Sequence, residues 1–209
     1  LLEALLSGKE TGWKSPFYDF EPVAITPHPV QQPIPLWIAA LTYPAIYHSA
    51  KRGYHIQTTP LRGGMETVRM QAGAFNDAVR DAGGSLDHLK FSMLRMLYVA
   101  RDRADAREKI AIAYENHRRF SNVFDTAGQV KDGAIVPIDV PETLEEVADA
   151  LLIGTADEII DKLGIYEELR VQDLLLNMSF GASHGDVLAS MERFARDVMP
   201  ATLTRRAAA

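Results

Sequence analysis

The residues able to do chemistry gather at a few points of the chain. Thr42-Tyr43-Pro44 follow the apolar run 36–41 and open a helical pattern that lasts to Gly53. A hydroxyl and unpaired N–H groups at a helix start, backed by the positive end of the helix dipole, can hold an anion. Pro44 presets the first turn and has no N–H to lose. No Asp or Glu stands at this cap, so nothing there repels a phosphate. The plainer reading is that Thr42 caps its own helix.

Arg95 interrupts the apolar run 91–100. A buried guanidinium needs a partner, so Arg95 is either half of a structural ion pair or faces a ligand. Asn177, Ser179 and His184 lie in "NMSFGASHG", at or just past the end of another apolar run. There His184 could serve as acid, base or donor, or be an ordinary solvated loop residue. "LRGG" (61–64) sets Arg62 beside two glycines, as an anion ligand, a mobile lip or a flexible surface turn. The histidines at 28, 48, 55, 88 and 117 show no HxH or HxxxH metal spacing. His55 reads as a satisfied core residue, and "NHRRF" (116–120) as the solvated face of a helix. Phosphate-loop, dinucleotide and nucleophile-elbow motifs are missing from the sequence.

These residues need elements to position them. Apolar strand patterns at 36–41, 54–60, 91–100 and 171–180 alternate with helical patterns at 44–52, 65–82, 104–124, from Thr155 onward, and 187–198. Thr155 with Glu158 three residues on is a capping box. Nearly continuous apolar strands separated by helices predict βα units on a parallel sheet. Four units make either an open sheet or half of a (β/α)8 TIM barrel, whose closed form needs about 250 residues. Residues 1–35 read as a helix end, with Leu1, Leu2, Leu5 and Leu6 as its stripe, followed by a proline-rich extended connector. A start inside a helix, without Met, favours the half barrel and implies a missing N-terminal portion. Residues 125–153 read as an irregular insertion with a short helix from Pro141, and the whole of 1–209 as one domain.

The apolar share of 47%, charged share of 24% and net charge of −6 are those of a globular protein with no basic face for nucleic acid or an anionic membrane. With no cysteine, thiol nucleophiles, thiolate metal sites and disulfides are excluded. No apolar run is long enough for a membrane span and no signal peptide is seen, so the expectation is cytoplasmic.

Several stretches together resemble the flavin-dependent bacterial-luciferase-like monooxygenases: "PVQQPIPLWIAALTYPAIYHSAKRGY", "RMLYVARDRADAREK", "IGTADEIIDKL" and "LLLNMSFGASHGDVLASMERFARDVMP". The resemblance implies the C-terminal half of a (β/α)8 barrel, with the N-terminal half absent, binding FMN or, in a sister branch, F420. It implies a flavin-phosphate site at Leu41, Thr42 and Tyr43, with Ala45 where relatives often carry a second hydroxyl. The implied reaction is oxidation of a small organic substrate by reduced flavin and O2, with NAD(P)H or a flavin reductase as electron source, in a protein that often dimerises. Arg95, Ser179 and His184 remain the candidate catalytic residues, and 125–153 the candidate substrate lid. The alternatives are an F420-dependent oxidoreductase on the same barrel and a non-catalytic flavin-binding fragment.

Overall fold

The computed structural model describes residues 1–61, 63–124 and 128–202. The chain divides into two units, Leu1–Trp37 and Ile38–Ala209. In the first, α1 (Leu2–Leu6) ends at Ser7. The stretch expected to be an extended connector contains an antiparallel pair, β1 (Thr11–Lys14) and β2 (Asp19–Val23). Its turn is held by Ser15, whose Oγ accepts from the N–H groups of Phe17 and Tyr18 at 3.2 and 3.0 Å. A serine turn thus closes a hairpin that the surrounding prolines mask in the sequence.

The four expected strands all form: β3 (Trp37–Ala39), β4 (His55–Thr58), β5 (Phe91–Val99) and, later in the chain, Asp173–Asn177. Between them run α2 (Tyr43–Lys51), α3 (Met65–Arg80) and α4 (Arg103–Val123). The insertion contains β6 (Val130–Lys131), β7 (Ala134–Ile135) and α5 (Leu144–Ala150), and ends in the short strand β8 (Leu152–Gly154). Asp132-Gly133, both with positive φ, makes the tight turn between β6 and β7. Then come α6 (Ala156–Glu168), β9 (Asp173–Asn177), α7 (His184–Arg193) and a π-helical turn, Phe194–Val198. The last helix therefore starts three residues earlier than its apolar pattern, because Ser183 Oγ accepts from Asp186 N–H at 3.1 Å and caps it.

The central strand β5 runs parallel to β4, β8 and β9. Its two edges can be separated by bond direction, since successive N–H and C=O pairs point to alternate sides. Lys90 O accepts from Ile56, and Ala100 N–H donates to Gly154, so β4 and β8 share one edge. Phe91 O accepts from Gln172, and Val99 N–H donates to Ser190 Oγ, so β9 and α7 occupy the other. β3 sits outside β4, where Ala40 N–H donates to Gln57 O. The result is a half barrel of four βα units, with β8 wedged above the end of β4.

Paired residues of a parallel sheet share a face. Ile56, Phe91, Met93 and Leu97 face the helices and are fully buried against Ile46, Val68, Phe75 and Ile159. Leu94 and Leu175, which pair, lie on the opposite face and are 40% and 38% exposed. Phe91→Ala should cost about 3–5 kcal/mol, because it removes a ring stacked on Phe75 at 5.2 Å. Leu94→Ala should cost about 1 kcal/mol or less, as an uncovered side chain does. Urea unfolding of both variants checks this, and a large Leu94 cost would show that the open face is covered in solution.

Candidate functional site

Two features occupy the C-terminal side of the strands. The first is the start of α2. Leu41, Thr42 and Tyr43 are all exposed there, with no acid in the first turn. Thr42 has extended backbone geometry and accepts from Ala45 N–H through Oγ1 at a long 3.4 Å, so it does cap its helix. Tyr43 N–H has no protein acceptor among the described residues. The ring of Tyr43 is committed elsewhere: its hydroxyl donates to Asp77 Oδ2 at 2.7 Å, one turn before Tyr47 donates to Asp81 at 3.0 Å. That hydrogen bond raises the Tyr43 pKa and lowers that of Asp77. The turn before α2 is fixed from below by Gln71, fully buried in α3, whose Nε2 donates to Leu41 O and Thr59 O, both at 3.0 Å.

The second feature is a cavity of 780 Å³ beside residues 94–96 of β5. It opens where β4 has ended and β8 has not yet begun. Its walls include Thr59 and Met65, Arg95, His117 and Phe120 of α4, and Glu142 with Val147. Gly63 lies at its edge in contact range of Thr67, whose side chain a Cβ would strike. Of "NHRRF", expected to be a solvated face, Asn116, His117 and Arg118 are half-buried instead, while Arg119 and Phe120 are exposed: this helix carries the insertion. Tyr114 Oη donates to Glu142 O at 3.0 Å, Arg118 Nε to Ile138 O at 2.9 Å, and Asn122 Nδ2 to Gln129 O and Val136 O at 2.7 and 2.8 Å. These residues recur at helical spacing on one face of α4. His117 Nε2 stands 3.5 Å from Glu142 Oε2, and neither atom makes an aligned hydrogen bond. α5 is started by a complete capping box of Thr143 and Glu146. Of the insertion, 125–127 lie outside the described residues, as does Arg62.

The candidate catalytic residues separate. Arg95 is buried at the cavity wall. Its Nε donates to Tyr166 Oη at 2.8 Å and no carboxylate among the described residues pairs with it, so of the two alternatives the structural ion pair does not form and a phenol stands in its place. Ser179 and His184 are exposed and are not part of that wall. Asn177 reaches the wall, while its Oδ1 accepts from Ser179 N–H at 3.0 Å. His184 is the first residue of α7, whose first turn is tied through Asp186 to the buried Lys109. Lys109 Nζ lies 3.0 Å from Asp186, 2.6 Å from Glu108 and 3.7 Å from Asp105, above the Tyr98 ring. His55 is satisfied, its Nδ1 accepting from Lys90 N–H at 3.0 Å. Among the described residues, no helix is long and apolar enough to cross a membrane and no cluster of three acids or histidines suits a metal.

Parallel βα units with an open helix start and a cavity at the strand ends define an α/β half barrel of the kind that binds ligands at its rim. The luciferase-like monooxygenase family matches residues 1–173, and the chain belongs to that family. A flavin-dependent trigonelline monooxygenase, oxygenase component, of Acinetobacter baylyi is 30% identical over 193 residues, covering 88% of this chain and 53% of that protein. An uncharacterized protein of Sinorhizobium fredii is 26% identical, covering 70% and 43%. The chain thus spans about half the length of the curated relatives it matches. Among solved structures, the monooxygenase RslO1 of Streptomyces bottropensis superposes with a TM-score of 0.69 at 23% identity, covering 95% of this chain and 58% of that one. An F420-dependent secondary alcohol dehydrogenase gives 0.66 at 16%, covering 92% and 56%. The FMN-bound oxygenating constituent of 3,6-diketocamphane monooxygenase of Pseudomonas putida gives 0.58 at 14%, covering 96% and 60%. At these identities the structural likeness speaks for the fold.

The Asp186 carboxyl is held below its usual range, first by Lys109 and then by Ser183. A depressed folded pKa contributes stability above the unfolded value of about 3.9, lost as pH falls through the folded value. Asp186→Asn should therefore be less stable than wild type at pH 7 and lose less on acidification from about pH 5 to 3. Urea midpoints across that range check the sign.

Proposed function

We propose that this chain is the phosphate-gripping half of an FMN-dependent luciferase-like monooxygenase, which uses reduced flavin and O2 on a small organic substrate. The observation that carries this reading is the open start of α2 in a chain of this family. The fit to a flavin phosphate rests on an exposed hydroxyl at Thr42, a Tyr43 N–H without a protein acceptor, and a first turn without acids. Ala45 adds no second hydroxyl and its N–H is used on Thr42 Oγ1, so the grip is made by the Tyr43 N–H and the Thr42 hydroxyl.

Bound at this rim, a reduced flavin supplies the electrons for activating O2. The chain's own residues have narrower tasks. Thr42 and Tyr43 hold the phosphate, Gln71 fixes the turn that presents them, and the stapled insertion screens the cavity from water. The insertion is then the substrate lid, hung on α4. A separate reductase or NAD(P)H as electron source fits the relative that is an oxygenase component, and a cytoplasmic setting supplies such donors. The uncovered sheet face, with its exposed Leu94 and Leu175, is where the other half of the barrel would pack, and a homodimer would form through another surface.

An F420-dependent oxidoreductase is the second reading, supported by the F420-dependent fold neighbour. Parallel titrations with FMN and F420, with an oxygen electrode, separate the two: tight FMN binding and O2 uptake are expected. In the protein that carries this chain, Thr42→Glu should weaken FMN at least about tenfold more than Thr42→Ala, because a carboxylate meets the phosphate. Equal, small losses in flavin-fluorescence titrations would reduce Thr42 to a cap.

A further inference from the structure

We infer that the cavity beside residues 94–96 receives a ligand bearing a single carboxylate-class anionic group, and that Arg95 is the residue that binds it. This rests on the oxidoreductase reading for the ligand's role as substrate, and names the chemical class that reading leaves open.

A guanidinium keeps its charge in a protein, so burying one without an anion is costly. Arg95 is only 5% exposed. Of its donors, Nε is used on Tyr166 Oη at 2.8 Å, and the guanidinium carbon lies 5.9 Å from the Tyr166 ring centroid. Nη2 is fully buried and has no acceptor. The phenol is neutral, so it orients the fork and leaves the charge uncompensated. A second cation, Lys162, is committed to the carbonyls of Ala148 and Leu151 at 3.3 and 2.8 Å, where burial pushes its pKa down against the opposing charges of Asp149 and Glu158.

The acids of the cavity do not supply the missing charge. Glu66, Glu146 and Asp149 are exposed at the rim. Glu146 accepts from Thr143 N–H at 2.8 Å, and Glu142 faces His117. None forms an ion pair with Arg95 among the described residues. This arrangement selects: one anion reaches a buried fork, while a dianion or polyanion meets the acidic rim. The volume of 780 Å³ suits a small organic molecule. Leu61, Met65, Phe120 and Val147 offer apolar walls for its remainder.

Benzoate and benzamide, equal in shape and differing in charge, are the probes, read by thermal shift on the apoprotein with FMN binding measured separately. Benzoate should stabilise the wild type in a saturable way and benzamide should not. Arg95→Met should weaken benzoate at least about tenfold, the cost of a charge-assisted hydrogen bond, with FMN affinity unchanged. Equal effects of the two probes, or benzoate protection undiminished in Arg95→Met, overturn the inference. If that variant does not fold, a benzoate-soaked wild-type crystal decides: carboxylate density at Arg95 supports it, and density elsewhere or none overturns it. Loss of FMN binding with benzoate protection intact would instead strike the flavin reading alone.

Discussion

The architecture depends on β5 being longer than any strand that flanks it. Its nine residues outrun β4, whose ladder stops at Thr58 before Pro60, a residue with no N–H to continue it. β8 takes up the same edge only from Leu97 onward. Between the two, around Leu94 to Met96, the edge has no strand beside it, and the cavity lies there. The opening is thus a consequence of strand lengths, and residues after β4, α5 and the face of α4 that carries Ala113 and His117 are what line it. Because β9 fills the opposite edge to Asn177, the sheet stays continuous while one side is perforated.

That geometry sets the same helices two tasks. α3 buries Val68, Ala72 and Phe75 in the core, and Gln71 on the same face ties the ends of β3 and β4 together. A buried amide donating twice to main-chain carbonyls is an expensive way to fill space, since its Oε1 is left without a partner. Its use is positional: it holds the Leu41 turn at a fixed height relative to Thr59. The tyrosine pair of α2, stacked at 6.1 Å and bonded to Asp77 and Asp81, fixes the helix from the outer side. Thr42 and the Tyr43 N–H are therefore presented by a clamped helix end, which keeps donors pointed outward without a ligand to order them.

The order of the half barrel was legible because its strands are largely apolar in sequence and most of its helices carry caps. Thr155 and Glu158 marked α6 correctly, with Glu158 accepting from the Thr155 N–H at 2.9 Å. What escaped was everything whose signal is a tertiary contact or a single turn. Asp132-Gly133 was a readable hairpin sign, hidden by strands of two residues. Ser183 could have announced α7, but the apolar pattern begins later. The face of α4 looked solvated because Asn116, His117 and Arg118 are polar, yet His117 meets the carboxylate of Glu142, and Arg118 the carbonyl of Ile138 and the carboxylate of Asp139, twenty or more residues away. Arg95 showed in the sequence as an anomaly, and only packing reveals that a phenol, rather than a carboxylate, is its neighbour.

The two anion-seeking features differ in kind. At α2 the donors are one exposed amide, that of Tyr43, and one hydroxyl, with solvent free to share the load, so a dianion loses little hydration on arriving. At Arg95 the donor is one full charge behind an acidic rim, in surroundings that strengthen a paired interaction and punish an unpaired one. A phosphate would be poorly served by the second, because its outer charge would face Glu66, Glu146 and Asp149. A lone carboxylate would gain little at the first, where water competes for every donor. On the proposed reading of the two features, anionic groups would be sorted by charge and hydration before any contact with the rest of either molecule counts.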